Sequence, residues 1–214
     1  EVDELKGVYD SISARHKKKD GDLSSETDTP FEILSWDAIK ALELPPIQWR
    51  INHLIPSGAK VSIAGRSGHN KSWLAMGMAC AMASGRPFLG CADFNVVQSK
   101  VLYIENEASM SSVRERGYML DFDAAKDNLY LAYINKTLNL NDDKAVNKLY
   151  EQVKELGIEV IFVDPFISTA GGIESASADD IRAYFNRFRP FINDGLSVIF
   201  IDHVRKGDSG QSGV

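Results

Sequence analysis

The chain has 214 residues, of which 44% are hydrophobic and 25% charged, and its formal net charge is −6. That is enough apolar chain to bury one large core or at most two, with no run of membrane-spanning length and no signal-peptide pattern at its start, so a cytoplasmic setting is expected. The acidic balance argues against a surface that coats nucleic acid uniformly, while leaving room for a local basic patch.

Residues 1–30 carry few apolar groups. The basic run His16-Lys17-Lys18-Lys19 is followed by a stretch from Asp20 to Pro30 that is too polar to pack, so the segment reads as a linker or tail. The basic run reads as a solvated charge cluster before it reads as a nucleic-acid contact. The first residue is Glu and the chain stops in a Gly/Ser-rich stretch, so both ends look like cuts in a longer protein, with a folded domain expected over 31–214. A short helix is expected over 35–42, and Pro45-Pro46 then turns the chain into the run from Trp49 to Pro56.

Lys60-Val61-Ser62-Ile63-Ala64 is a short β-branched run that predicts a buried strand. It enters Gly65-Arg66-Ser67-Gly68-His69-Asn70-Lys71-Ser72, which matches the phosphate-binding pattern G-x-x-x-x-G-K-[ST] except that Asn70 stands where the second glycine belongs. A helix is expected over 71–84. Strand, glycine-bearing turn and helix N-terminus together make an anion site, because successive amides point into one concavity and the helix dipole adds positive potential. All eight residues are therefore candidate nucleotide contacts, with Lys71 reaching the outer phosphates and the Ser72 hydroxyl on magnesium. Asn is the mildest replacement for the glycine, since it tolerates positive φ. Three readings stay open for it: an intact loop, a weakened or non-hydrolysing site, and a plain tight turn. Cys80 in the helix and Cys91 beyond it suit ordinary packed thiols in a reducing compartment, and no Cys/His spacing suggests zinc.

Further strands are expected over 101–105, 129–134, 159–163 and 197–202, with helices over 110–121, 142–156 and 178–193 between them. Alternation of this kind predicts a mostly parallel sheet covered by helices on both faces, with ligands at the carboxyl ends of the strands. Three strand ends carry chemistry. The first yields Glu105-Asn106-Glu107, and either glutamate could orient and polarise a water that attacks a γ-phosphate; alternation puts both on one side if the strand persists. Val160-Ile161-Phe162-Val163-Asp164 has the form of a Walker B strand, whose Asp can hold magnesium through water opposite Ser72. The last strand ends in Asp202-His203-Val204-Arg205-Lys206, where an imidazole can bond a γ-phosphate oxygen and the cations can neutralise transition-state charge or lie on the surface.

Taken in order, the run Trp49 to Gly58 before the loop, Ala83 to Gly90 after its helix, Val101-Leu102-Tyr103-Ile104 with Glu107, Val163-Asp164-Pro165 and His203-Val204-Arg205-Lys206 resemble the RecA-like P-loop ATPases of the RepA plasmid-helicase type, within the group of DnaB-type hexameric helicases and KaiC-like ATPases. The resemblance covers about residues 36 to 214. It implies an α/β RecA-like P-loop NTPase fold and an ATPase that uses ATP and Mg2+. The catalytic residues would be Glu107 (Glu105 second), Lys71 and His203 at the sensor position. Asp164 would be the Walker B aspartate, and Arg116 the arginine on the helix after the catalytic strand. It further implies a homo-oligomeric ring, a hexamer, with ATP between subunits and single-stranded DNA in its channel. Asn70 and Asp202, the latter where many relatives carry a second His, depart from the pattern. The loops facing such a channel would be 168–177, which has no cation, and the one beginning at Arg205. The leading function is a helicase or primase-helicase motor; the alternative is a KaiC-like regulatory ATPase without helicase activity, and a scaffold with a degenerate loop is a third.

Overall fold

Five short runs assemble into one parallel sheet whose three inner strands, within 101–105, 160–164 and 197–201, are buried on both faces, while the edge strand 60–65 leaves Lys60, Ser62 and Ala64 exposed. A computed structural model describes residues 32–133, 138–171 and 178–203, in two units that divide between Pro46 and Ile47. The expected linker, residues 1–30, lies outside the described residues, as do Arg205, Lys206 and residues 172–177 of the loop expected to face a channel, while Ser168 and Thr169 of that loop are helical. In the first unit, helix α1 (Trp36–Lys40) opens on Ser35, whose side chain accepts a hydrogen bond from the Ala38 amide at 3.1 Å.

In the second unit, β1 (Trp49–Ile51) and β2 (Ile55–Pro56) form a small antiparallel pair. The sheet proper consists of β3 (Lys60–Gly65), β4 (Val101–Glu105), β5 (Leu129–Tyr133), β6 (Val160–Asp164) and β7 (Ser197–His203), in the spatial order β3-β7-β6-β4-β5 with every pair parallel. The helices are α2 (Lys71–Ser84), α3 (Met110–Met119), α4 (Asp143–Leu156), α5 (Phe166–Thr169), α6 (Ala178–Asn186) and α7 (Arg189–Asn193). Among the described residues no helix is long and apolar enough to cross a membrane.

The pleat sorts the strands between two cores. Val101, Tyr103, Val160, Phe162, Ile199 and Ile201 face the buried side chains of α2, whereas Leu102, Ile104, Ile161, Val163, Val198 and Phe200 face α4 and the aromatic cluster of Tyr184, Phe188 and Phe191. Helix α2 is Ala- and Met-rich and buries nine of its residues, which is why its sequence shows no polar stripe. It stops at Gly85, whose φ of 74° turns the chain out of the helix while its amide bonds the Ala81 carbonyl at 2.9 Å.

Three expectations need correction. The strand expected to be buried over 60–64 lies at the edge of the sheet, with Lys60, Ser62 and Ala64 exposed and Val61 and Ile63 half-buried. The helix expected over 178–193 is two helices, because Pro190 cannot donate to the carbonyl four residues back, at Asn186, where α6 ends. The strand expected over 159–163 runs one residue later: Glu159 stays outside and its carboxylate takes the Arg50 guanidinium at 2.7 Å and the Lys100 amide at 3.1 Å. These contacts, with Ser197 Oγ donating to the Pro56 carbonyl at 2.9 Å, fix the Trp49–Pro56 hairpin at the amino ends of the strands. That motif therefore belongs to the end of the sheet opposite the strand termini that carry the chemistry.

Candidate functional site

Loop 65–72 leaves β3 and enters α2 through two left-handed residues, Gly68 at φ 80° and Asn70 at φ 56°, ψ 25°. Asn70 occupies the N-cap position of α2 with no side-chain cap bond, and its carbonyl accepts the first helical bond from Leu74 at 3.0 Å. It thus adopts the backbone that glycine would supply, which a short amide side chain tolerates. The Lys71 ammonium lies over the loop, donating to the Gly65 and Arg66 carbonyls at 2.7 and 2.8 Å, and the residue is 7% exposed. Because the Asn70 side chain is exposed and takes no cap role, Asn70→Gly is expected to keep nucleotide affinity within about threefold of wild type or improve it. A titration with a fluorescent ATP analogue checks this, and a large loss would mean that the amide has a contact of its own.

Three of the carboxylates expected at the strand ends separate into different environments. Glu105 and Asp164 are register partners at the ends of β4 and β6, 3% and 2% exposed. They continue, two residues on, the face that carries Tyr103 and Phe162, so the pleat turns both toward the side of the sheet covered by α2. Asp164 accepts a hydrogen bond from the Tyr103 hydroxyl. Burial, and then the Asp164 charge, push that phenol well above the ordinary tyrosine range. Glu105 Oε1 accepts the amides of Glu107 and Ala108, both at 2.8 Å. Burial pushes the Glu105 carboxyl up, and these two amide bonds pull it partly back.

The strand therefore does not persist to Glu107, and the two glutamates do not share a side as alternation suggested: Glu105 ends β4 and its own carboxylate folds the chain into a turn. Glu107 emerges from that turn exposed, its Oε1 accepting from Ser168 Oγ at 3.2 Å. Asn106 ties the same region down from both sides, its amide N–H donating to the Asp164 carbonyl at 3.1 Å and its side chain to the Ser168 carbonyl at 2.9 Å. Glu107 is thus carried on a turn stitched to the segment that follows Asp164. Asn106, Ser168 and Tyr103 were not among the expected site residues. The one signal for Tyr103 is a hydroxyl inside an otherwise aliphatic buried strand, which must find a partner.

Arg116, on α3, places its guanidinium carbon 5.6 Å from the centroid of Trp73, the residue after Ser72, so it spans from the start of α2 toward Glu105 and Tyr103. His203 pairs by backbone with Gly65 at the end of β7, and its side chain lies outside the described residues. The sheet thus sets the loop beside His203 and, two strands further on, Glu105 beside Asp164.

Among the described residues no group of three or more His, Cys, Asp or Glu side chains is arranged to hold a metal by itself. The donor set suits a magnesium bound together with nucleotide, since such an ion takes most of its oxygens from phosphates and water and asks the protein for one hydroxyl and one carboxylate. Ser72, in the first turn of α2, and Asp164, at a strand end on the face that α2 covers, are of those types.

The sequence profile of a family described as "AAA domain" matches residues 26–209. No curated protein matches the chain. Among solved structures, a KaiC-like protein from the hyperthermophilic archaeon Pyrococcus horikoshii OT3 superposes with a TM-score of 0.51 at 12% identity, covering 74% of this chain and 72% of that one, a likeness of fold alone.

Proposed function

The chain belongs to the AAA domain family, a family of RecA-like P-loop ATPases, and we propose that it is the magnesium-dependent motor domain of a plasmid- or phage-type replicative DNA helicase or primase-helicase. In this reading the amides of residues 65–72 and the Lys71 ammonium hold the triphosphate, and Ser72 and Asp164 hold the metal. Bound there, magnesium would supply positive charge to offset that of the phosphates. Glu107 orients and polarises the attacking water, and His203 bonds the γ-phosphate side. A homo-oligomeric ring, a hexamer, with ATP between subunits and single-stranded DNA in its channel completes the proposal.

The observation that carries the motor reading is the contact of Glu107 and Asn106 with Ser168. It joins the glutamate proposed for catalysis to Ser168 on α5, the short helix that leads into the segment that would face DNA, and so supplies a physical link through which nucleotide chemistry would reach that segment. A KaiC-like regulatory ATPase is the second reading. It is favoured by the absence of any Lys or Arg from 168–177 in a chain of net charge −6, since gripping a phosphate backbone needs cations.

Adding single-stranded DNA is expected to raise ATP turnover about tenfold for the motor, with the stimulation fading as salt rises. Turnover unchanged by DNA across the salt range supports the regulator. Phosphate release measured with and without an oligonucleotide, from low to physiological salt, decides between them.

A further inference from the structure

Tyr103 and Asp164 are both buried, at 1% and 2% exposure, and sit diagonally across adjacent strands: Tyr103 is level with Phe162, and Glu105 with Asp164. The Tyr103 ring stacks on Phe162, centroids 5.6 Å apart and planes 18° apart, so its hydroxyl is delivered from a fixed platform to Asp164 Oδ2. Glu105 supplies no donor to that carboxylate. It is the like-charged neighbour in register, and its own Oε1 is committed to two backbone amides. A phenylalanine would fill the same apolar space against Phe162, so the hydroxyl is not required by packing. What it adds is one directed bond to a carboxylate that would otherwise choose its rotamer beside another negative group.

We propose that Tyr103 is a positioning residue that holds Asp164 Oδ2 and so presents the carboxylate in a single orientation to nucleotide-bound magnesium. The proposal rests on the reading of Asp164 as the metal-side carboxylate. Tyr103 acts on the metal only through Asp164, as outer partners of metal-binding groups do.

The test is the gain in affinity for a fluorescent ADP analogue on going from EDTA to millimolar Mg2+, measured on the full chain below its melting temperature. Tyr103→Phe is expected to bind the analogue in EDTA as wild type does and to lose about tenfold of the magnesium-dependent gain. Asp164→Asn is expected to lose the same gain, and the double variant no more than Asp164→Asn alone, because both act through one contact. A Tyr103→Phe variant whose gain is unchanged or larger, even if it melts lower, makes the hydroxyl a core group only and overturns the proposal. So does an Asp164→Asn variant that keeps its gain. Lys71→Ala serves as the separate control: if it binds the analogue at full affinity in EDTA, the phosphate-site reading itself fails and the positioning role falls with it. Loss of binding in Lys71→Ala beside an unaltered Tyr103→Phe overturns the positioning role alone.

Discussion

Replacing Lys71 by alanine is expected to lower ATP affinity about 100-fold, a loss of roughly 3 kcal/mol set by charge-assisted hydrogen bonds to phosphate oxygens. The structure shows where that ammonium is kept: nearly buried, over the Gly65 and Arg66 carbonyls, at the mouth of a helix whose first turn carries no acidic residue. The side chain therefore lies beside the amides that would cradle phosphate. It is also the positive group that lets two carbonyls of the loop converge. Alanine removes the phosphate contact and the internal brace together, so a slightly lower melting temperature should accompany the lost affinity. Calorimetric titration with ATP checks the first effect and thermal denaturation the second; retained affinity would sink the assignment of 65–72 as the nucleotide loop.

Glu107→Gln should leave ATP binding within about threefold of wild type while turnover falls by about 100- to 10,000-fold, the range for removing a positioned general base. Glutamine keeps the length of the side chain and an oxygen for the Ser168 contact but cannot polarise water as a carboxylate does. Glu105→Gln is the discriminating partner. Its oxygen can still accept the Glu107 and Ala108 amides, so turnover should survive, and what changes is the dependence of stability on pH. Burial raises the Glu105 carboxyl in the folded state. The folded chain therefore holds this proton more tightly than the unfolded chain, and the associated stabilisation is present below the ordinary glutamate range and lost as pH rises through the raised folded value. Melting temperatures of wild type across mildly acidic pH should show that slope, and Glu105→Gln should flatten it. Single-turnover hydrolysis of the two variants assigns the roles: if Glu105→Gln is the inactive one, the exposed glutamate is not the base.

These two glutamates mark the boundary of what could be read from the chain. Residue type, a preceding apolar run and spacing located both at a strand end, but the choice between them depended on whether the strand continued. It does not, because a carboxylate at position 105 accepts amides two and three residues on. Asn70 lay on the legible side. A residue that tolerates positive φ, between a phosphate-loop lysine and a glycine-bearing turn, predicted the backbone that the loop adopts. The break at Pro190 could have been read as well, since a proline cannot sit in the interior of a helix without freeing the carbonyl four residues before it.

The sequence by itself determined the alternation of strand and helix, the phosphate-loop pattern and the family, because those depend on hydrophobic period, turn chemistry and motif order along the chain. Only the tertiary structure decided which of these features meet. The order β3-β7-β6-β4-β5 and the one-residue register of its parallel pairs put Glu105 beside Asp164, Tyr103 on Asp164 Oδ2 and Ser168 on Glu107, from positions about 60 residues apart. They also sent the Trp49–Pro56 motif to the far end of the sheet. Strand pairing is a choice among surfaces of similar apolar character, and its outcome is fixed by packing across the whole sheet.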